Sequence, residues 1–198
     1  MKTEIVITLC AVVAASTLSC IHRDLITNPT DSGCPDKQYQ CSDYCLEFKK
    51  EIEKKIIDYV NEERNAYGCA SLKSDPDLSN IARAHSEDMA QTGFFSHINQ
   101  QGENPTDRAR RYGYPLHKEL GDGYYSEGIG ENIGMMATGD IIGIGYVPNN
   151  PDSIAKAQVQ AWMNNPEHKE NILNETYQNS GVGTAYDGDY YLSTQTFW

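Results

Sequence analysis

The stretch GVGTAYDGDYYLSTQTF, residues 181–197, closes the chain with alternating apolar and polar residues around an Asp187-Gly188 pair. Alternation with a period of two is typical of half-buried strands, and Asp-Gly is a frequent turn between paired strands. The stretch therefore predicts a β-hairpin, with Val182 in its first strand and residues 190–197 in its second.

Helical patterns precede this hairpin. From Leu46, apolar residues recur at steps of three and four as far as a predicted helix end near Tyr67-Gly68. Asp75-Pro76 and Asn165-Pro166 each join a capping residue to a proline, which is typical of a helix start, and a further helix is predicted after Asp152-Ser153. Because helices precede and strands close the chain, we expect an α+β or layered α/β/α domain rather than an alternating parallel sheet.

Length and charge restrict the class of protein. The chain has 198 residues, enough for one domain with appendages, and its 28 acidic residues outnumber 16 scattered basic ones. Binding to phosphates needs a concentrated positive surface, so the composition disfavours a nucleic-acid partner.

The first residues, MKTEIVITLCAVVAASTLSC, have the features of a secretory signal, because Lys2 precedes an apolar run that is short for a bilayer crossing. We interpret residues 1–19 as a signal peptide, with Cys20 as a lipidation candidate and a retained signal anchor as the alternative. Residues 20–48 are interpreted as a linker or small disulfide-stapled extension, and residues 49–198 as the domain. The protein is then expected to be secreted or attached to the outer face of the cell membrane.

The cysteines support an oxidising compartment if Cys10 leaves with the signal and Cys20 carries lipid. The even set that remains permits two disulfides and consists of Cys34, Cys41, Cys45 and Cys69. The close pair at 41 and 45 also fits half of a zinc knuckle, but no second close pair completes a tetrahedral site. Disulfide stapling is the favoured interpretation.

The stretch GIGENIG, residues 128–134, places Glu131 among glycines. Its glycine spacing departs from the dinucleotide fingerprint by one residue, and a central carboxylate repels phosphate, so a nucleotide site is disfavoured. Neither a G-x-S-x-G nor an H-E-x-x-H motif occurs. The metal-capable residues that remain are His97, Glu131 and His168, which suit a divalent cation such as Zn²⁺ only if the fold brings them together.

The order of several motifs resembles the CAP superfamily, the SCP-like domains of cysteine-rich secretory proteins, antigen 5 and pathogenesis-related 1 proteins, in its shorter prokaryotic form. The motifs are VNEERNAYGCASLKSDPDLSNIARAHSEDMA, FFSH, GENPTDRARRYGY, GIGENIG, VQAWMNNPEHKENIL, GVG and YYLSTQTF, spread over about residues 49–198. The resemblance implies a three-layer α/β/α sandwich with a largely antiparallel central sheet.

The resemblance also implies a central cleft of two histidines and acidic residues, often occupied by a divalent cation. Mapped onto this chain, the cleft residues are His97, Glu131 and His168. Animal members of the superfamily carry a second glutamate three residues after the helix tryptophan, where this chain has Asn165 after Trp162. The expected ligand set therefore lacks its second carboxylate.

Several residues around this cleft are expected to support its structure rather than to bind a ligand. Asn132 is expected to hydrogen-bond loop backbone rather than ligate a metal. Asn165, Glu167 and Gln195 are candidates for the surroundings of the cleft, and Glu167 is a candidate substitute for the second glutamate. Interior positions are expected for His85, Phe94, Phe95 and Trp162.

Three functional hypotheses follow. The first is an exported, non-catalytic binding module whose cleft takes a metal, a lipid, a peptide or a partner protein outside the cell. The second is a metal-assisted, peptidase-like hydrolase in which His97 and His168 hold the ion and Glu131 is the general base. The third is an extracellular scaffold whose polar cluster only holds the layers together.

Overall fold

The computed structural model describes residues 43–198. The signal peptide and the candidates Cys20, Cys34 and Cys41 lie outside the described residues, so the corresponding predictions stay predictions.

The described chain has a first group of helices, a run of five strands, two further helices and a closing pair of strands. The helices are α1 (Asp43–Ala66), α2 (Pro76–Thr92), α3 (Pro105–Arg111), α4 (Pro151–Asn164) and α5 (Pro166–Leu173). The strands are β1 (Lys73–Ser74), β2 (His117–Gly121), β3 (Tyr124–Glu127), β4 (Gly130–Met136), β5 (Gly139–Ile141), β6 (Gly145–Val147), β7 (Asn179–Tyr186) and β8 (Tyr191–Phe197).

The central sheet has the strand order β1-β7-β8-β4, and β2–β3 and β5–β6 form separate hairpins. β7 pairs antiparallel with β8, and β8 pairs antiparallel with β4. The Asp187 carboxylate accepts the backbone N–H groups of Asp189 and Tyr190 in the turn. The predicted terminal hairpin and the largely antiparallel sheet are confirmed.

One edge of this sheet is short. β1 pairs in parallel with β7 only at Asn179 and Ser180. Further along β7, the backbone N–H of Thr184 donates to the Glu53 carboxylate of α1 at 2.9 Å, and that carboxylate also forms an ion pair with Arg83 of α2.

Helices cover both faces of the sheet. Gly181 and Gly183 face α2, because a Cβ at either position would overlap the α2 backbone at Ser79 or Arg83. The side chain of Val182 points to the opposite face, since side chains alternate along a strand. There it joins a core contributed largely by α1 and α4, which includes Ile52, Ile56, Ile154 and Trp162. The predicted three-layer α/β/α sandwich is confirmed.

The helix starts follow the capping chemistry of the sequence. The Asp75 side chain accepts the N–H groups of the first turn of α2, and Asn165 does the same for α5. α1 begins at Asp43 rather than Leu46, so the end of the segment predicted as a linker, residues 20–48, is helical.

Cys45 and Cys69 are both buried. The Cys69 thiol donates to the backbone carbonyl of Leu173 at 3.5 Å. Disulfide stapling of this set stays a prediction, because two of its four cysteines lie outside the described part of the chain.

None of the helices in residues 43–198 has the length and apolar character that crossing a membrane requires.

Candidate functional site

Glu131 lies near the start of β4, and the surrounding glycines permit its placement. Gly128 has a φ of 92°, which a residue with a side chain rarely adopts, and a Cβ there would overlap Thr106. Further along the strand, a Cβ at Gly134 would overlap the Gln158 side chain of α4. The glycines therefore allow the chain to turn into β4 and pack closely against its neighbours, while the Glu131 side chain is buried.

Both oxygens of the Glu131 carboxylate have partners. Oε2 accepts a charge-assisted hydrogen bond from Nη2 of Arg108 at 2.5 Å, and Oε1 lies 2.8 Å from Nδ1 of His97. The Glu131 side chain is 1% exposed and that of Arg108 is 2% exposed. Glu131 is thus held between a buried guanidinium and an imidazole.

Arg108 belongs to α3 and also holds the loop that carries His97. Its Nη1 donates to the backbone carbonyl of His97 at 2.8 Å and to that of Glu103 at 3.1 Å. The Arg108 guanidinium therefore holds both the Glu131 carboxylate and the backbone of His97, the histidine that contacts the same carboxylate.

His85 is buried on α2 beside this network. Its Nε2 lies 3.0 Å from the backbone carbonyl of Ser96 and 4.0 Å from Oε1 of Glu131. Burial lowers the pKa of His85, an effect that Glu131 opposes and Arg108 reinforces. The expected interior position is observed, but Nδ1 has no hydrogen-bond partner among the described residues.

His97 and His168 form the more accessible part of the site. The side chain of His97 is 45% exposed, and His168 is half-buried at the start of α5. Burial lowers the pKa of His168, and electrostatic repulsion from His97 lowers it further.

Asn132 fastens β4 to α5. Its Nδ2 donates to the backbone carbonyl of His168 at 3.1 Å, and its Oδ1 accepts from Nδ2 of Asn171 at 2.9 Å. Nδ2 of Asn171 also lies 3.2 Å from the backbone carbonyl of Glu131. The two amides hold His168 next to the strand that bears Glu131.

The other predicted neighbours of the cleft form no hydrogen bond to the Glu131 side chain, whose hydrogen-bond partners among the described residues are His97 and Arg108. The exposed Asn165 uses its side chain to cap α5, by accepting the N–H groups of Glu167 and His168. Glu167 is exposed, and Gln195 is fully buried in β8, where it donates to Ser180. Trp162 is buried as expected.

The loop before His97 differs from its prediction. Phe94 packs partly against the edge of the His85 ring, but Phe95 is 41% exposed, so its predicted core position is wrong. The physical reason is that Phe95 follows the end of α2, in an irregular segment that lies outside the apolar face of the helix. Ile98 is 48% exposed on the same loop.

Metal ligation by His97, Glu131 and His168 stays a prediction, and their contacts bear on which of them could act as ligands. No cluster of three or more His, Cys, Asp or Glu side chains in residues 43–198 has the arrangement of a metal site. If Nδ1–H of His97 donates to Glu131, that nitrogen has no lone pair for a metal, so Glu131 is a partner of the histidine rather than a co-ligand. The imidazoles of His97 and His168 then remain, fewer than the three or four protein ligands typical of zinc.

The site also lacks the contacts of an activated nucleophile. Within the described residues, no hydroxyl or thiol hydrogen-bonds to the imidazole of His85, His97 or His168. A nucleophile paired with a histidine base is the usual arrangement in covalent catalysis.

Sequence reasoning missed Arg108. It is one of three arginines in the PTDRARR segment, and only the phase of α3 distinguishes it from the exposed Arg110 and Arg111. The Asn104-Pro105 start of α3 was the available signal, since the residues three and four positions after Pro105, Arg108 and the apolar Ala109, share its face of the helix.

Comparisons with known proteins agree with this fold. The sequence profile of the Cysteine-rich secretory protein family, CAP, matches residues 57–198. The chain therefore belongs to the CAP family.

Among relatives in Bacillus subtilis (strain 168), the uncharacterized protein YkwD is 34% identical over 145 residues, which cover 73% of this chain and 46% of that protein. The uncharacterized membrane protein YlbC is 31% identical over 145 residues, covering 73% of this chain and 34% of the relative. The match thus spans less than half the length of either relative.

A solved structure of an extracellular protein containing a SCP domain from Bacillus anthracis str. Ames is also similar. It has a TM-score of 0.59 and 25% sequence identity, and the match covers 81% of this chain and 44% of that one.

Proposed function

We propose that the domain is a non-catalytic binding module of an exported protein, and that its ligand is an extended peptide segment contacted by the loop around His97. The observation that carries this proposal is that the loop exposes three side chains while one of them is held in a fixed orientation. Nδ1 of His97 is held by the buried Glu131 while the ring is 45% exposed, and Phe95 and Ile98 are exposed beside it.

These three side chains combine the chemistry of a peptide-binding surface. Aromatic and aliphatic groups remove a ligand's apolar side chain from water, and a fixed imidazole nitrogen offers a hydrogen bond to a peptide amide. Arg108 and His85 hold the backbone of this loop at His97 and Ser96, so the surface is organised before a ligand arrives.

Space for a polar ligand group lies against the same loop. An open pocket of about 430 Å³ is lined by His85, Arg108, Asn99 and Tyr112, among others. Its Asp88 carboxylate has no ion pair among the described residues, which favours a ligand with a basic group.

A lipid ligand has less support. The pocket of about 480 Å³ between α1 and α4 is open and includes Glu62, Glu63, Lys156 and Lys169 in its lining. An acyl chain needs an apolar enclosure, whereas these charged groups suit a hydrated surface.

The test is selection of binding peptides from a random twelve-residue library by the full chain, followed by affinity measurements on variants. We expect Phe95→Ala and His97→Ala each to weaken the selected peptides about tenfold or more, as for residues at the centre of an interface. Tyr124→Ala, at an exposed tyrosine of the β2–β3 hairpin, is the control and should bind like the wild type. Selection of no peptide, or unchanged affinity in the two loop variants, would contradict the proposal.

Hydrolysis is the second candidate, and the contact that favours it is the 2.8 Å approach of Nδ1 of His97 to Glu131. A carboxylate that orients a histidine in this way leaves its other nitrogen able to take a proton from water. Cleavage of the selected peptides by the wild type, lost in both His97→Ala and Glu131→Gln, would favour hydrolysis over binding alone.

Export is part of the proposal. It is supported by the signal-like start of the sequence and by the extracellular description of the similar Bacillus anthracis protein. Mass spectrometry of the protein from its own host should find residues 1–19 removed, and it would show whether Cys20 carries lipid. An intact Met1 on the exported protein would contradict cleavage.

A further inference from the structure

We infer that Arg108 is the resident cation of the Glu131 cleft, so that the cleft is assembled and binds its ligands without a divalent metal. This inference goes beyond the proposed function, since a peptide-binding surface is compatible with either kind of cation.

The first argument is the position of Arg108. Its guanidinium is buried and forms an ion pair with Oε2 of Glu131 at 2.5 Å. The same side chain donates to the carbonyl oxygens of His97 and Glu103. A buried carboxylate needs a positive partner and hydrogen bonds, and Arg108 supplies both from within the chain.

The second argument is the use of the carboxylate oxygens. Oε1 is engaged by His97 and Oε2 by Arg108. A metal bound directly to Glu131 would have to displace one of them, and displacing Arg108 would leave a buried guanidinium without its counter-ion.

The third argument is charge balance. One carboxylate and one guanidinium already neutralise each other at this position. A cleft built around a divalent ion gains from a second carboxylate, but this chain has Asn165, whose side chain caps α5. The substitution at Asn165 and the ion pair at Arg108 are consistent with each other, because a single fixed positive charge needs only one negative partner.

The test measures thermal stability of the full chain with zinc chloride or EDTA. The parent should carry His117→Ala, because His117 contacts Glu119 and Glu127 on an exposed hairpin and is a separate candidate for adventitious zinc binding. We expect the Tm of this parent to differ by less than about 1 °C between the two conditions. A rise of more than about 4 °C with zinc that is lost in His97→Ala would overturn the inference.

Arg108→Met in the same parent tests the substitution of one cation by another. Without the guanidinium, Oε2 of Glu131 becomes available, so zinc should raise the Tm of this variant by at least about 4 °C. The increase should disappear in Arg108→Met/Glu131→Gln.

Arg110→Met is the matched control, since Arg110 lies two residues away on α3 with an exposed side chain. It should respond to zinc like the parent. A folded Arg108→Met that gains nothing from zinc would overturn the inference, because Arg108 would then not occupy the position of a cation. If Arg108→Met fails to fold, the zinc response of the parent and of His97→Ala decides the question.

Discussion

Gly183 shows how a single residue determines the distance between two layers. It lies on β7 against α2, and a Cβ there would overlap the backbone nitrogen of Arg83. Backbone atoms of a helix cannot move aside as a flexible side chain can. The absence of a side chain at this position therefore permits the close packing of α2 on the sheet.

Gly183→Ala should consequently lower the free energy of unfolding by about 3 kcal/mol, the upper part of the range for overpacking. Urea denaturation is the measurement. Gly143→Ala is the control, because its Cβ would meet open space and only its φ of 80° is unfavourable. It should cost about 1 kcal/mol, and equal losses in the two variants would contradict the packing argument.

Individual site residues could be predicted from the sequence only where their chemical type is distinctive. It could single out His97 and Glu131, because imidazoles and carboxylates are few and chemically distinct. It could not select Arg108 from neighbouring arginines or place Phe95 on the surface, since both depend on how a short segment is oriented in three dimensions. The same limit applies to Asn165, whose capping role depends on a backbone turn.

The connection between α1 and α5 depends on a buried arginine. Arg64, near the end of α1, is 1% exposed and donates to the carbonyl oxygens of Ala70, Ile172 and Asn174. The carbonyl groups of Ile172 and Asn174 are at the C-terminal end of α5, where a positive charge is also favourable. Arg64 therefore joins the two helices and a loop through one side chain.

Arg64→Met should lower the free energy of unfolding by about 3 kcal/mol, because buried carbonyl groups lose their donors. Arg64→Lys should recover only part of this loss, since one ammonium group cannot reproduce the spread of the guanidinium. Chemical denaturation measures the effect, with the exposed Arg110→Met expected to change stability by less than about 0.5 kcal/mol. A stability of Arg64→Met equal to that of this control would contradict the role of Arg64.

The β2–β3 hairpin contains a pH-dependent contact. His117 lies 2.8 Å from Glu119 and 3.1 Å from Glu127, and these carboxylates raise its pKa above the ordinary 6.5, with Glu119 the larger cause. The contact therefore stabilises the hairpin fully below pH 6.5 and is lost as the pH rises through the raised pKa of the folded state.

An NMR titration of the His117 ring should show this elevated pKa. Glu119→Gln should lower it more than Glu127→Gln, whereas Asp140→Asn, in the separate β5–β6 hairpin, should leave it unchanged. An ordinary His117 pKa in the wild type would show that the two carboxylates do not hold the imidazole in solution.

Elements with strong local signals were predictable. The starts of α2 and α5 and the final hairpin follow from capping residues and a turn pair whose chemistry acts over a few residues. The start of α1 was placed too late, because the residues before Leu46 lack an apolar period. Their helical conformation is an extension of the amphipathic part that follows.

Across the whole molecule, the central network favours folding at neutral rather than acidic pH. Burial lowers the pKa of His85 from 6.5, so the unfolded chain binds a proton at this residue more readily than the folded one. Its contribution to stability is full above pH 6.5 and falls as the pH decreases towards the folded-state pKa.

The contribution of His85 to the unfolding free energy should therefore decrease towards acid between pH 7.5 and about 5. The measurement is best made in His117→Ala, which removes the opposite contribution of His117. His85→Gln should reduce the slope of this decrease, since glutamine does not titrate. Glu131 and Arg108 both interact with His85, so the comparison is to be made with these two residues intact. An unchanged slope in a folded His85→Gln would exclude His85 as the cause.

The three-layer architecture was predictable from the order of helices and strands together with the family resemblance. The internal arrangement of the site was not, because it depends on α2, α3, β4 and α5 converging from distant parts of the chain. Glu131 and Arg108 are 23 residues apart, and Asn132 and His168 are 36 apart. Local patterns contain no information on such contacts.

The short β1 strand leaves most of the outer edge of β7 without a neighbouring strand among the described residues. Such an edge is a template for addition of another chain, the first step towards ordered aggregates. The Glu53 carboxylate occupies the N–H of Thr184 and places a charge there. Glu53→Ala should therefore increase light scattering and thioflavin fluorescence on mild heating, while Glu51→Ala should not. On this argument, a side chain that joins two helices to the sheet also protects the sheet edge from the addition of another chain.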